Sequence, residues 1–453
     1  MKKYFSSYWI HSAFYSFLQR FSIIFFGFIN FVVLIRGLSK PQMGVWALFL
    51  VVTTIFETTK SYLLKNAHIK YVSSINDNPE KTAIASSSLL INASISCLFI
   101  LFVIFFSDKL SLWLHTGMEL SNMLKWFIPG LICMVFFSHL EAIQQSHLDF
   151  KGVFAGYFVR QVIFFIIIIS QKFLKIPFTL SHLAFYYGIS IFLGTIIIYI
   201  FSRKYLLYRF DPTKAWIRKI VGFGGYIFGS GIIANIFANL DQLMTAKFMT
   251  SGAFVASYNA ATRINSLVDI PSYAASEILF PKVSKTSAEE GNGKVKYIYE
   301  RMVGILLSLT TPVALFIICF PGLIISVIAG RQYAEAAPIL QLYMITGILR
   351  PAQNQAASIM TSIGKPKLVF IMNLLFLITN LVINYICLIR FGFYGAAIGT
   401  VITCFLGMLA WYLVMKKQIG LQGVNIVVYM IETYKMVYLQ ILNTFFKKKQ
   451  VQI

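Results

Sequence analysis

Nine charged residues interrupt the apolar runs of this sequence: Arg20, Glu57, Lys60, Glu141, Arg160, Asp241, Arg263, Asp269 and Arg350. A charge carried into a bilayer costs roughly 2.5–3.5 kcal/mol on insertion scales, so such residues face a bundle interior or a watery cavity. Their types divide the chemistry. Guanidinium groups hold phosphate oxygens through paired donors in a low-dielectric site, which makes Arg20, Arg263, Arg160 and Arg350 candidates for binding an anionic substrate. Carboxylates take up a proton or Na⁺, which makes Glu57, Asp241 and Asp269 candidates for ion coupling. Asn259 shares one helical face with Thr262, Arg263 and Ser266, the polar stripe expected of a surface that lines water or another helix. Each has a plainer alternative. The long Arg20 side chain can snorkel to an interface, and Arg160 and Arg350 can pair with Glu57, Glu141 or Asp241 as glue between helices. Asn30, Asn235, Asn239, Gln144, Gln145, Gln353, Asn354 and Gln355 suit helix-to-helix hydrogen bonds or hydroxyl recognition alike.

Other chemistries find little support. The six histidines are scattered along the chain and form no pair at metal-ligand spacing. No phosphate-binding glycine loop and no nucleophile elbow occurs, so neither a cofactor nor ATP hydrolysis is expected. Cys97, Cys133, Cys319, Cys387 and Cys404 all lie within apolar runs and read as small core residues.

The elements that position these residues follow from composition. Of 453 residues, 58% are hydrophobic and 12% charged, against roughly 25% charged in an average soluble domain. Crossing a hydrocarbon core of roughly 30 Å takes about 20 helical residues, and apolar runs of that length recur from end to end. Unbroken runs such as Phe158 to Ile169 exclude the alternating strands of a barrel. The pattern predicts an all-α polytopic membrane protein with about twelve spans, at 12–35, 42–64, 82–107, 122–146, 152–170, 178–202, 221–246, 253–278, 300–320, 337–362, 367–389 and 393–415. No cleavage site follows Met1-Lys2-Lys3, and the first apolar stretch reads as a retained helix.

The net charge of +23 is explained by topology rather than by nucleic acid, because no soluble domain remains to carry a basic face. With the N-terminus in the cytoplasm, about 26 Lys and Arg fall on cytoplasmic segments and about 8 on exterior ones, as the positive-inside rule requires. Both termini are then cytoplasmic. The longest connections, 65–81, 203–220 and 279–299, fall on that side, and the middle one mixes aromatic and basic residues from Tyr205 to Lys219 as an interfacial segment would. It is expected to link an N-terminal lobe, 1–210, to a C-terminal lobe, 211–417. The tail, 418–453, is apolar but ends in Lys447-Lys448-Lys449 and is expected to lie along the inner leaflet. A faint repeat at an offset of about 212 residues sets Gly44, Trp46 and Glu57 opposite Ala256, Tyr258 and Asp269. A second echo sets Asp149-Phe150-Lys151 opposite Ile363-Gly364-Lys365.

Two stretches carry a family resemblance. The first runs from Gly225-Tyr226-Ile227-Phe228-Gly229-Ser230 through Asn239-Leu240-Asp241-Gln242-Leu243-Met244 and Ser257-Tyr258-Asn259-Ala260-Ala261 to Leu279-Phe280-Pro281-Lys282-Val283-Ser284. The second joins Phe320-Pro321-Gly322, Ala329-Gly330-Arg331-Gln332-Tyr333-Ala334-Glu335-Ala336, Gly364-Lys365-Pro366-Lys367 and Gly392-Phe393-Tyr394-Gly395-Ala396-Ala397. Together they resemble the polysaccharide-export branch of the multidrug/oligosaccharidyl-lipid/polysaccharide (MOP) flippase superfamily, the group holding the lipid-linked O-antigen flippases. The resemblance covers nearly the whole chain. It departs at Phe254-Val255-Ala256-Ser257, where members usually carry Leu-Gly before the tyrosine.

The resemblance implies two pseudo-symmetric six-helix lobes around a central cationic cavity that opens alternately to either side of the membrane, with Arg20 and Arg263 on cavity-facing helices. It implies an undecaprenyl-pyrophosphate-linked oligosaccharide as substrate, an inner-membrane location, no enzymatic step, and a place beside polysaccharide polymerase or assembly proteins. A drug or metabolite antiporter of the same fold is expected to use a membrane-buried acid in the first half; the first helix offers Arg20 and no acid, which disfavours it, although Glu57 and Asp241 keep that alternative open. A membrane polymerase or ligase would need a long exterior loop, whereas the longest here has about 15 residues.

Overall fold

The computed structural model describes residues 2–450 apart from Asn76, Leu148, Leu207, Tyr208, Thr250 and Glu290. No strand occurs among the described residues. Contacts divide the chain into two compact units, Met1–Ala256 and Ser257–Ile453.

The first unit contains α1 (Lys2–Gly37), α2 (Lys40–Ser74), α3 (Asn78–Trp113), α4 (Glu119–Trp126), α5 (Ile128–Ser146), α6 (Lys151–Phe173), α7 (Leu180–Ser202) and α8 (Lys214–Phe248), and it takes in the start of α9 (Gly252–Val268). Within it α6 packs on α1 and α7, α5 on α7, and α2 along α8. The second unit continues with α10 (Ile270–Glu289), α11 (Asn292–Cys319), α12 (Pro321–Ile328), α13 (Ala337–Ser362), α14 (Pro366–Phe391), α15 (Gly395–Ile419) and α16 (Gly423–Gln450). There α13 packs on α11, α15 and α10.

Helix occupies most of every predicted span. Seven segments among the described residues are long and apolar enough to cross a membrane, one of them, Pro366–Ile419, holding both α14 and α15. The pair α4 and α5 adds an eighth, bent by 49° at Phe127, where Pro129 withholds a backbone donor from the first turn of α5. The predicted span 253–278 also divides, with Asp269 between α9 and α10 and Pro271 just beyond. α13 falls short of the apolar segments because Arg350, Gln353, Asn354 and Gln355 lie within it.

The predicted cytoplasmic connections are mostly helix. α2 runs on to Ser74 and α3 begins at Asn78, so the stretch 65–81 read as a connection is two helix ends. Hydropathy detects only the lipid-facing part of a helix. At 36 residues α3 is about 54 Å long, against a core of about 30 Å, and must project from it. The connection from α7 to α8 is pinned to α3. Ser86 Oγ of α3 accepts from Asp211 N at 3.0 Å, and Ser87 Oγ accepts from Thr213 N at 3.0 Å. Trp216, expected as an interface anchor, is buried against Tyr71, Leu63 and Ile84, because α8 has already begun at Lys214 and turns it inward. Leu207 and Tyr208 of that segment lie outside the described residues.

Two cysteine expectations need correction. Cys387 and Cys404 are buried, but Cys97 and Cys319 are exposed. In a membrane protein the outer helix faces meet lipid, so an apolar position need not be a core position. α16 is held on α11 by Glu300, whose carboxylate accepts from Gln422 N and Asn425 Nδ2, both at 2.8 Å. Gly304 lets the two backbones approach: a Cβ there would lie 2.9 Å from the Ile426 carbonyl oxygen.

A tighter approach occurs in the first unit, where a Cβ on Gly44 would run into the Gly252 carbonyl, whereas one on Gly27 would meet nothing within 4 Å. Without a hydrophobic driving force in lipid, such close backbone contact is what holds helices together. Gly44→Leu is therefore expected to destabilise the protein by about 1–3 kcal/mol through overpacking, with Gly27→Leu near wild type. Size-exclusion profiles and melting midpoints in detergent compare the two, and equal midpoints would refute the contact.

Candidate functional site

The intramembrane charges of each unit are gathered by its own helices. In the first, Arg160 of α6 is 4% exposed. Its Nη1 lies 3.3 Å from Glu57 Oε1 of α2, and its Nη2 donates to Tyr187 OH of α7 at 2.6 Å. The guanidinium also lies over the Phe137 and Tyr187 rings, 5.8 and 5.2 Å from their centroids. A second acid, Glu141 of α5, accepts from Lys65 Nζ at 2.7 Å, Tyr157 OH at 3.1 Å and Gln145 Nε2 at 3.2 Å. Lys60 is 1% exposed; it donates to Ser96 Oγ at 3.3 Å and sits over the Phe56 ring.

In the second unit, Arg350 Nη1 lies 2.9 Å from Asp269 Oδ2. Each partner sits beside a helix irregularity, Asp269 at the α9–α10 break and Arg350 next to Pro351 within α13. With its amide turned to satisfy both neighbours, Asn265 accepts from Arg350 Nη1 at 2.8 Å and donates to Tyr343 O at 3.1 Å. Asp269 Oδ1 is buried without a hydrogen-bond partner among the described residues. Asn259 is buried and Arg263 half-buried, one turn apart on α9. Arg20 is exposed on α1 and Asp241 half-buried on α8.

The structure thus brings Arg160 to Glu57, one of the partners expected of it, and Arg350 to Asp269, which was not among them. Glu57 and Asp269, one offset apart in sequence, each hold an arginine of their own unit, although Arg160 and Arg350 are not themselves one offset apart. The joints at Asp149-Phe150-Lys151 and Ile363-Gly364-Lys365 likewise both precede a helix start, at α6 and α14. Tyr187, which completes the Arg160 site, was not found in the sequence; a tyrosine among apolar residues gives no local signal of an arginine on another helix.

The residues carrying the family resemblance meet in space. Tyr258, fully buried, donates to Phe393 O at 2.7 Å and accepts from Ala397 N at 3.0 Å. Ser257 Oγ donates to Glu335 Oε1 at 2.9 Å. Three stretches far apart in sequence are one packed joint, so this part of the signature specifies architecture.

Helices of this length and order, with charges drawn inward, make an all-α polytopic bundle, and its fold is that of solved MOP superfamily structures. The solved structure of the lipid II flippase MurJ, in an inward closed conformation, matches with a TM-score of 0.77 at 16% identity, over 95% of this chain and 93% of that one. The model of the polysaccharide biosynthesis protein family matches residues 33–338, and the chain belongs to that family. It is 23% identical over 420 residues to a Klebsiella pneumoniae membrane protein of the cps region, covering 91% of this chain and 83% of the relative. It is 20% identical over 377 residues to the Escherichia coli lipopolysaccharide biosynthesis protein WzxC, covering 80% and 72%.

Proposed function

We propose that this protein is a flippase that carries an undecaprenyl-pyrophosphate-linked oligosaccharide, a repeat unit of O-antigen or another surface polysaccharide, across the bacterial inner membrane. The observation that carries this reading is the engagement of three acids within the predicted spans. Glu57, Glu141 and Asp269 are each bound to a cation of their own unit, while the first helix offers Arg20 and no acid. An antiporter for cationic drugs needs a carboxylate at its cargo's disposal; an anionic headgroup needs arginine. The family and its named relatives support the same direction.

In this reading twelve spans form lobes 1–210 and 211–417 about a central cavity, with both termini and the basic tail in the cytoplasm. Arg20 and Arg263 bind the pyrophosphate, and Asn259 and Arg350 contact the headgroup. Arg160, enclosed by Glu57, Tyr187 and Phe137, positions its helices. The polyprenyl tail stays in lipid while the lobes rock, as repeat-built transporters do. No bond is made or broken. Asp269, with one oxygen uncommitted, is the foremost candidate for ion coupling, ahead of Glu57 and Asp241. Polysaccharide polymerase and assembly proteins are the partners that receive the delivered unit.

The test replaces Arg20 and Arg263 singly with alanine and with lysine in a flippase-deficient strain, and measures lipid-linked glycan reaching the outer face at matched protein levels. Alanine is expected to abolish delivery and lysine to restore part of it, since a point charge replaces a fork. Normal delivery by both alanine variants would overturn the assignment.

A further inference from the structure

A cavity of about 680 Å³ lies within the first unit, between the projecting ends of α2 and α3, the ends of α5 and α7, and the pinned segment after α7. Three of the six histidines, scattered in sequence, line it: His68, His139 and His147. His68 is 1% exposed and both its ring nitrogens lack hydrogen-bond partners among the described residues. Its ring meets that of His139 edge to face, the centroids 5.6 Å apart. Beneath the cavity wall these ring nitrogens are a buried polar cost that nothing among the described residues offsets.

The rim carries Lys81, Lys204 and Arg209, and no acidic residue is among those lining the cavity. Lys204 is engaged, 2.9 Å from Asp149. Burial works to raise the Asp149 carboxyl, but hydrogen bonds from Lys204, Tyr205 and the Lys151 N–H override it and leave it below the usual carboxylate range. Lys81 has no ion-pair partner among the described residues. Among the described residues the Arg209 side chain meets only Asp211, at 3.8 Å, with both side chains largely in solvent. On its other flank the cavity is walled by Phe136, Phe192 and Tyr199, each a large side chain about half exposed. Cations at the level of helix ends, above an apolar wall open to the outside of the bundle, match one molecule class: a lipid with an anionic headgroup.

We infer that this cavity is a binding site for an anionic phospholipid of the surrounding leaflet, with the phosphate between Lys81, Arg209 and the histidines and the acyl chains along Phe136, Phe192 and Tyr199. It involves none of the arginines assigned to transport and stands apart from that reading.

The full-length protein in detergent, stripped of lipid, is titrated with phosphatidylglycerol, phosphatidylcholine or inorganic phosphate and followed by native mass spectrometry. One phosphatidylglycerol is expected to be retained at least tenfold more tightly than phosphatidylcholine. Lys81→Ala with Arg209→Ala should lose that preference, and Ala85→Phe, which fills the cavity and leaves the rim charges, should lose the lipid. Each variant is first shown to elute and melt as wild type without lipid; a variant that does not is replaced by Lys81→Gln with Arg209→Gln or by Ala85→Leu. Equal retention of the two lipids, retention by both variants, or displacement of phosphatidylglycerol by millimolar phosphate would overturn the inference, the last by showing a site for soluble anions.

Discussion

Arg160→Met is expected to cost the protein about 3 kcal/mol, the lower end of the range for breaking a buried ion pair, since Glu57 keeps 29% exposure and some access to screening. The loss has three parts. Glu57 is left without its cation, Tyr187 OH loses its donor, and the Phe137 and Tyr187 faces lose the guanidinium above them. Arg160→Lys should recover only part of this, because one ammonium cannot reproduce a planar fork that serves a carboxylate and a phenol on different helices. Adding Glu57→Gln to Arg160→Met should recover part as well, by removing the stranded charge. Apparent melting midpoints in detergent rank the four proteins, and a single Arg160→Met variant that melts with wild type would show that the pair contributes nothing.

The second large effect is expected at Asp269 and Arg350. Arg350→Met leaves a carboxylate with a 4% exposed side chain and no cation, at a cost of about 3–5 kcal/mol. Asp269→Asn with Arg350→Gln replaces the ion pair by a neutral hydrogen-bonded one and should return most of the stability, a coupling that a double-mutant cycle measures directly. If the double variant is no more stable than Arg350→Met alone, the cost is not that of a stranded charge. The same double variant separates two roles of Arg350. Restored folding without restored glycan delivery assigns it to the substrate as well as to Asp269; restoration of both leaves it as structural glue.

Much of the architecture could be read directly from hydropathy, because a segment in lipid must satisfy its own backbone and is therefore long, apolar and helical. Segments with polar business were read less well. The break at Asp269 fell inside a span drawn as continuous, although Pro271 was visible, since hydropathy windows average over a missing donor. The helix ends beyond Leu64 and before Thr82 read as a connection for the opposite reason, being polar. Most of the paired charges were legible as candidates, because charge in an apolar run is rare, but Glu300 and Lys65, at the edges of their predicted spans, were not. The pairings themselves were harder to read. Nothing near Arg160 in sequence points to Tyr187, and nothing near His68 points to His139, because pairing in a bundle is decided by which faces meet across helices. The resemblance stretches were legible as a signature, but their physical reason, the Tyr258 phenol bridging Phe393 and Ala397, appears only in three dimensions.

The serine pair on α3 has a mechanical consequence. A slack tether between α7 and α8 would absorb displacement, letting α8 shift while α3 stayed still. Ser86 and Ser87 instead fasten the tether to α3 two residues apart, at Asp211 and Thr213, and Thr213 is itself the cap of α8. The start of α8 is therefore tied to α3 through a pair of hydroxyl groups, so displacing one helix relative to the other has to break or carry these two hydrogen bonds.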